Sequence, residues 1–349
     1  MPETPPVLPP AARRDEESYL SFAEGLRAFT QREVAPQMTA IAEARLRAAQ
    51  PASLEEVKRV LDPLPIVAAR NRLMRSTQEM KWVGIREAYQ ACEAELLAAL
   101  DQADRQGPGS VSYDPAFDYP AYFREARFHL QPGGYWQHPL AGFYYHYGTN
   151  IFFTGRNTND AIQRDLVALI PLPDDGQVRR VLDLGCSAGQ STTALKERFP
   201  QAELWGIDIS APMVRYAHWR AIQLGLEVHF AQMKAEELRF PDASFDLVWA
   251  FILFHELPVA IGQQVVREVY RVLREGGIFA LADFPNRPPE QAASLAGYLR
   301  DFDTTDNGER YGSAFVYSDF AGTLREAGFR QVVLDAAPGN WIPLRVCVK

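Results

Sequence analysis

Apolar and polar positions follow a helical period through the first third of the chain. Apolar residues recur at every third or fourth position and form a stripe on one face of the predicted helices, and charged residues occupy the other faces. The stripe consists of Trp82, Ile85, Tyr89, Cys92, Leu96 and Leu100. Ser53 precedes Glu56 by three positions, which is the pattern of a capping box. We predict a helical domain over residues 18–105.

The pattern changes twice after this domain. Residues 106–120 are rich in turn-forming residues and predict a linker, and residues 121–158 combine many aromatic side chains with His129, His138 and His146. From 159 to 349, short apolar runs alternate with helix-like segments, which is typical of βαβ units and a parallel sheet. The fold class predicted for this second half is therefore α/β.

Composition narrows the class of protein. The chain has 349 residues, 47% of them hydrophobic, and its net charge of −8 comes without a dense basic stretch, so nucleic acid is not an expected partner. Three dispersed cysteines, Cys92, Cys186 and Cys347, favour neither a disulfide framework nor a zinc cluster. The histidines lack a tight metal-ligand spacing with carboxylates, and we expect no metal.

The N-terminal residues 1–17 are rich in proline and predict a disordered tail without the apolar core of a signal peptide. No apolar run approaches the roughly 20 residues that a membrane helix needs. These features favour a cytoplasmic protein.

Carboxylates follow two of the predicted strands. Asp183 ends the run "RRVLDLG" and is followed by a small-residue loop, residues 185–189, where glycine permits a sharp turn or a close ligand approach. Asp208 ends "AELWGIDIS", where a carboxylate can accept hydrogen bonds from ribose hydroxyls, and Ser210 suits the start of the next helix. Ligands of doubly wound sheets bind at such strand ends.

Five motifs occur in order: "VLDLGCSAG", "GIDIS", "AEELRFPDASFDLV", "LREGG" and "LREAGF". Together they resemble the class I S-adenosylmethionine (SAM)-dependent methyltransferases, particularly the small-molecule group that includes quinone C-methyltransferases, over roughly residues 178–349. The resemblance implies a Rossmann-like sheet of seven strands, parallel with an antiparallel last strand, behind the helical N-terminal domain. It also implies an enzyme that uses SAM and releases S-adenosyl-L-homocysteine (SAH).

The resemblance assigns cofactor roles to residues of the loop and the strand ends. It places Asp183 near the amino group of SAM, the loop along its methionine half, Asp208 on the ribose, and hydrophobic side chains beside the adenine. The residues implied are Asp183, Gly185, Cys186, Ser187, Gly189, Asp208, Ile209, Met213, Met233, Lys234 and Ala235. Ser187 stands where relatives have glycine, and Lys234 stands where they have an aspartate that accepts from the adenine amino group. Lysine has no acceptor to offer, so the backbone of residues 233–235 is expected to serve, or SAM binds more weakly.

The strand end after "SFDLVWAFILF" faces the methyl group in this architecture, which makes His255 a candidate general base, with Glu256 and Asp283 as further candidates. The alternative for His255 is a structural role at the strand end. The aromatic segment, with Tyr144, Tyr145, His146 and Tyr147, is expected to form a lid and acceptor pocket together with Phe254, or else a hydrophobic seam. Asn157 and Asp160 suit the cap of the next helix.

We therefore predict a methyltransferase that acts on a small molecule, at an oxygen, nitrogen, carbon or sulfur atom. Alternatives left open are a non-catalytic SAM-binding module whose helical half docks a partner, an NAD(P)-dependent oxidoreductase, and nucleic-acid methylation. The loop is Gly-x-x-x-Gly rather than G-x-G-x-x-G, which disfavours a dinucleotide. The helical half is expected to set acceptor specificity and to form a homodimer.

Overall fold

The computed structural model describes residues 14–340 and 342–349. The N-terminal half is helical, as predicted. Its helices are α1 (Arg14–Phe29), α2 (Ala35–Ala49), α3 (Leu54–Leu61), α4 (Pro65–Gln90) and α5 (Glu93–Ala103). Helix α1 begins inside the segment predicted as a tail, so residues 14–17 are helical rather than disordered. The rest of that segment, residues 1–13, lies outside the described part of the chain.

The predicted capping box is present at the start of α3. The Glu56 amide donates to Ser53 Oγ at 3.3 Å, and the Glu56 carboxylate accepts from the Ala52 amide at 2.8 Å. The predicted apolar stripe is divided between two helices, because α4 ends at Gln90 and α5 begins at Glu93 after a turn at Ala91–Cys92.

Eight strands form one sheet. They are β1 (Ser110–Ser112), β2 (Arg180–Leu184), β3 (Glu203–Asp208), β4 (His229–Gln232), β5 (Phe245–Phe251), β6 (Leu273–Ala282), β7 (Arg330–Val333) and β8 (Leu344–Val348). In the described part of the chain their order is β1-β4-β3-β2-β5-β6-β8-β7, with β8 antiparallel to both β6 and β7 and the other pairs parallel. The antiparallel last strand was predicted; the count of seven was not correct.

The additional strand is β1, which lies in the segment predicted as a linker. It is three residues long and too short to show an alternating pattern. Gly109 leads into it with φ +82°, and a Cβ there would lie 2.0 Å from the Val228 carbonyl oxygen. Only glycine permits this approach, which lets the Ser110 amide donate to that carbonyl.

Helices cover both faces of the sheet. The remaining helices are α6 (Ala121–Arg124), α7 (Ala141–Phe152), α8 (Ala161–Ala168), α9 (Gln190–Arg198), α10 (Ala211–Gln223), α11 (Val259–Val272), α12 (Leu295–Asp306), α13 (Gly312–Val316) and α14 (Phe320–Glu326). One face packs against α11, α13 and α14, and the other against α8, α9 and α10. Central strands such as β5 are therefore buried on both faces, which explains their continuous apolar runs.

The helical half packs closely against the sheet domain. Trp82 and Ile85 of α4 share a buried cluster with Phe143 of α7 and Tyr216 of α10. At the other end, Tyr298 of α12 donates to Asp62 at 2.8 Å. Helix α4 therefore runs along the carboxyl edge of the sheet. In the described part of the chain, no helix combines the length and the apolar character needed to cross a bilayer.

Candidate active site

The loop after β2 adopts a left-handed backbone at three positions, with φ of +62° at Gly185, +51° at Ser187 and +75° at Gly189. A Cβ at Gly185 would lie 2.7 Å from a methyl carbon of Leu253, and the positive φ adds strain for any other residue, so glycine is favoured there. Ser187 adopts this conformation at a cost that glycine, which the family resemblance implies at this position, would not have.

Asp208, at the end of β3, is tied to this loop. Its Oδ2 accepts from the Ser187 amide at 3.0 Å and its Oδ1 accepts from the Ser210 amide at 2.8 Å. Burial raises the pKa of Asp208 to about 6, although both amide hydrogen bonds oppose the shift. Ser210 also caps α10, as predicted, by accepting from the Met213 amide at 3.2 Å.

Asp183 lies beneath the loop rather than in the cavity wall. Its Oδ2 accepts from the Thr192 hydroxyl at 2.6 Å, and its Oδ1 is buried without a hydrogen-bond partner. Burial raises the pKa of Asp183 to about 7, the Thr192 hydrogen bond opposes this, and the charge of Asp208 adds to it.

A cleft of about 970 Å³, its mouth included, lies above the loop. Eight residues predicted from the cofactor motifs line it: Gly185, Cys186, Ser187, Asp208, Ile209, Met213, Met233 and Ala235. We call this cleft the cofactor cavity. Three carboxylates reach its wall, those of Asp208, Glu236 and Glu256, whereas none of the described residues that line it is lysine or arginine. The cavity is therefore suited to a cationic ligand.

Of the predicted residues outside this wall, Lys234 faces a separate surface groove and its ammonium lies 3.5 Å from Glu237. Gly189 ends the loop, where its amide donates to the Cys186 carbonyl at 2.8 Å, and Asp183 lies beneath the loop. Glu236, which sequence reasoning passed over, reaches the cavity instead. Its Oε1 accepts from the Tyr122 hydroxyl at 2.7 Å, and its Oε2 is buried without a partner. A carboxylate oxygen without a partner is therefore present at Glu236, two residues after Lys234, the position at which the resemblance implies an aspartate.

One part of the aromatic segment lines the cofactor cavity, as a lid would, and another part packs in the seam between the helical half and the sheet domain. Tyr145 lines the cofactor cavity, and burial raises its pKa to about 12. Tyr144 and Tyr147 pack in the cluster between the helical half and α10. His146 is buried, with its Nδ1 2.7 Å from the Tyr216 hydroxyl. These three residues therefore lie outside the cavity wall and belong to the seam.

Phe254 also lies outside the cavity wall, since its ring packs against Phe279, Phe315 and Phe320 in the core. The predicted helix cap is confirmed for one residue. Asn157 Oδ1 accepts from the Ile162 amide at 3.0 Å, while Asp160 makes no side-chain cap and instead pairs with Arg220.

His255 lies in a single 3-10 turn that follows β5. Its Nδ1 is 2.7 Å from Asp283 Oδ1, at the end of β6, and its Nε2 is 3.7 Å from Glu256 Oε1. Burial alone would lower the pKa of His255, but the charge and hydrogen bond of Asp283, with Glu256 behind them, raise it overall. An imidazole whose Nδ1 proton is held by a carboxylate has its Nε2 lone pair available as a base.

Sequence reasoning missed His129, which completes this cluster. Its Nε2 lies 3.0 Å from Glu256 Oε1, and its backbone adopts φ +48°. Gln78 Nε2 and Trp82 Nε1, both on α4, donate to the His129 carbonyl at 2.7 Å each and fix this conformation. Ligand atoms of His129, His255 and Glu256 lie within 4.8 Å of one another, an arrangement that a metal ion can also use. Residues so distant in sequence give no local signal of such a cluster.

A second cavity, of about 690 Å³ with its mouth, adjoins the first. We call it the inner cavity. It shares His129, Tyr135, Tyr145 and Ile252 with the cofactor cavity. Its remaining wall is His255, Phe284 and Glu309 from the sheet domain and Lys81, Trp82, Gly148, Thr149, Phe152 and Phe153 from α4 and α7 and their ends. His255 therefore faces a largely aromatic space beside the cofactor cavity.

Comparison with known proteins identifies the family. Residues 181–277 match a methyltransferase domain. The chain is 33% identical over 156 residues to an uncharacterized methyltransferase of Synechocystis sp., covering 44% of this chain and 68% of the relative. The chain belongs to the class I SAM-dependent methyltransferases. It is also similar to a demethylmenaquinone methyltransferase of Thermus thermophilus, with 40% identity over 120 residues, which are 34% of this chain and 52% of that protein.

The chain spans about half the length of the first curated relatives that it matches, at 52%, 53% and 47%. The fold likeness extends further. A solved Nostoc punctiforme protein, assigned provisionally as an O-methyltransferase, has a TM-score of 0.52 at 15% identity and covers 96% of each chain. The helical N-terminal half is therefore part of the shared fold.

SAM is the cofactor of this family, as the sequence predicted, and the residues of the cofactor cavity fit it. SAM carries a sulfonium and an ammonium, which suit a wall with three carboxylates and no lysine or arginine among the described residues. The buried, unpartnered Oε2 atoms of Glu236 and Glu256 offer acceptors. A dinucleotide pyrophosphate would be repelled by the same wall, so the oxidoreductase alternative is not favoured.

Proposed function

We propose that this methyltransferase transfers a methyl group from SAM to a small molecule that occupies the inner cavity. The observation that carries the proposal is the shared wall of the two cavities, formed by His129, Tyr135, Tyr145 and Ile252. An acceptor on one side and the cofactor on the other would meet at this wall, and proximity and orientation supply much of the catalysis in such transfers.

When bound, SAM supplies an electrophilic methyl group on a positively charged sulfur. In the proposal, the 185–189 loop holds the methionine half and Asp208 accepts from the ribose hydroxyls. Glu236 takes the place of the aspartate that relatives use, since its free Oε2 can accept from the adenine amino group. The cofactor-binding role of Lys234 is then unnecessary.

His255 is the proposed general base. Asp283 holds the proton on Nδ1 and orients the ring, so that Nε2 can accept the proton that the acceptor loses as its nucleophilic atom is methylated. Asp283 itself accepts from the Phe254 and Phe284 amides at 2.7 and 2.8 Å, which fixes its carboxylate. Asp283 is thus a positioning residue.

Glu256 and His129 are proposed to act as a pair. Glu256 faces the cofactor cavity and adds negative potential beside a cationic ligand, while its carboxylate, 3.0 Å from His129 Nε2, holds that imidazole at the shared wall. Helix α4 fixes His129 through its carbonyl, so the helical half would shape the acceptor site. Homodimerisation through this half stays a prediction.

Thermal unfolding with SAM, SAH and NADH tests the cofactor half of the proposal. A ligand at about a hundred times its Kd stabilises a protein by roughly 2.7 kcal/mol. We expect SAM and SAH, but not NADH, to raise the melting temperature, and the Asp208→Ala variant to lose the effect. Stabilisation by NADH alone would overturn the proposal.

A screen of small acceptors with methyl-labelled SAM tests the transfer itself. We expect wild-type protein to label an acceptor, and His255→Ala to retain the SAH-induced stabilisation while losing most of its turnover. A protein that binds SAM but labels no acceptor would instead be the non-catalytic binding module.

A further inference from the structure

Lys81 is a buried lysine to which the described residues offer no counter-ion. It lies in the middle of α4, lines the inner cavity and is 3% exposed. Its ammonium lies 4.2 Å from the centroid of the Trp82 ring and 5.8 Å from that of Phe152. Among the described residues, the structure gives Lys81 Nζ no hydrogen bond and no ion pair, which is an unusual state for a buried lysine.

A second cation reinforces the positive charge at this end of the cavity. The Arg27 guanidinium of α1 lies 4.6 Å from the Phe152 centroid, and its buried Nε has no hydrogen-bond partner. Burial and the charge of Arg27 hold the pKa of Lys81 well below its usual range. Burial thus favours the neutral amine of Lys81 in the empty cavity, and an anionic group bound beside it would restore the ammonium charge.

The carboxylates beside the inner cavity do not neutralise Lys81. Glu309 pairs with Arg300, and Glu256 Oε1 lies 3.0 Å from His129 Nε2 at the shared wall. The two cavities therefore differ in the groups they offer, with three carboxylates around the cofactor cavity and an unpaired lysine amine in the inner one. A cation in a dry aromatic cavity binds an anionic group more strongly than it would in water.

We propose that the inner cavity binds an aromatic carboxylic acid, with its carboxylate on Lys81 and its ring against Trp82, Phe152 and Phe284. This proposal rests on the proposed function, since it names the class of acceptor. The carboxylate is the binding group, and a second nucleophilic group on the same ring reaches His255. The two cations then set which acceptors are accepted, while His255 acts on the reacting atom.

Pairs of neutral and anionic probes test the proposal on the full chain saturated with SAH. The probes are benzoate, 2-naphthoate and biphenyl-4-carboxylate, each with its primary amide, titrated by calorimetry. We expect at least one acid to bind about tenfold or more tightly than its amide, as a hydrogen bond to a charged group implies. In Lys81→Met this preference should disappear. Lys58→Met removes a lysine paired with Asp301 outside the cavity and should keep it.

The outcomes separate the two proposals. Saturation with SAH, checked in the same samples, shows whether the cofactor half of the proposed function holds. If SAH binds and no acid binds, or if acid and amide bind equally, the carboxylate proposal alone is wrong. A preference that survives in Lys81→Met also overturns it. Should Lys81→Met fail to fold, the comparison of acid with amide on the wild type still decides.

Discussion

His255 and Asp283 are joined across the ends of two neighbouring strands, with 2.7 Å between Nδ1 and Oδ1. Strands β5 and β6 run parallel and end at the same edge of the sheet, so the two side chains meet although 28 positions separate them in the chain. Both are almost completely buried, Asp283 engages the imidazole Nδ1, and His255 lines the inner cavity.

Asp283→Asn should lower turnover by about a hundredfold or more, because the amide cannot stabilise the imidazolium that forms when His255 accepts a proton. Activity requires neutral His255, so the rate should rise with pH through the raised pKa of this residue. Without the Asp283 charge that pKa falls, and the acid limb of the profile should move to lower pH. Steady-state kinetics across pH, with any acceptor from the screen, provides the measurement.

An unchanged acid limb in Asp283→Asn would remove Asp283 from its positioning role. Glu275→Gln is a suitable control, since this exposed carboxylate at the opposite end of β6 pairs only with Arg330 among the described residues. It should leave both turnover and the pH profile as in the wild type.

Glu236→Ala should weaken SAM binding about tenfold, because the adenine amino group loses its proposed acceptor. Lys234→Ala should leave the affinity unchanged, since Lys234 faces the surface groove. Calorimetric titration with SAM measures both, and Glu237→Ala serves as an exposed carboxylate control. A larger loss in Lys234→Ala than in Glu236→Ala would contradict this assignment.

Asp183→Asn should stabilise the cofactor-free protein above neutral pH. Folding raises the pKa of Asp183 from 3.8 to about 7, so the folded state binds more protons than the unfolded state and loses stability as pH rises between these values. The amide removes this penalty, on the order of 2–4 kcal/mol, and keeps an acceptor for Thr192. In urea unfolding, the free energy of unfolding of Asp183→Asn should exceed that of the wild type by a large amount at pH 8 and by little at pH 4. Equal effects at both values would rule out this origin.

Ser187→Gly should leave the free energy of unfolding unchanged or increase it by about 1 kcal/mol, because glycine adopts φ of +51° without strain. Ser187→Val should destabilise by more than that, since a β-branched residue is least tolerant of this conformation. Urea unfolding compares the three proteins. If Ser187→Gly instead lowers the free energy of unfolding by about 1 kcal/mol, as glycine does at positions with negative φ, the serine is not strained.

Removal of divalent metal ions should not change methyl transfer, because His255 is expected to take the proton without a Lewis acid. Activity is measured before and after dialysis against EDTA, with the metal content of the purified protein determined in parallel. Loss of activity that Zn²⁺ or Mg²⁺ restores would instead make His129, His255 and Glu256 a metal site.

Local sequence patterns were sufficient for much of the sheet domain. The strand ends at Asp183 and Asp208, the cap at Ser210 and the loop from Gly185 to Gly189 were all predicted, because each depends on residues within a few positions of one another. Strand β1 was missed for the opposite reason. Three residues of ordinary composition become a strand only because Gly109 fits against Val228.

The same distinction holds at the candidate site. His255 and Glu256 could be selected from the sequence because they follow a recognisable strand. His129, Lys81 and Glu236 could not, since their importance comes from burial and from partners far away in the chain.

By itself, the sequence determined the family, the cofactor and the alternation of strands and helices after residue 159, since motif spacing and hydrophobic period are local properties. The tertiary structure alone decided which carboxylate faces the cofactor cavity and which aromatic residues form the lid rather than the seam. It also decided where Lys81 is buried without a counter-ion. The physical reason is that burial, ion pairing and cavity shape arise from contacts between segments, and these do not exist until the chain has folded.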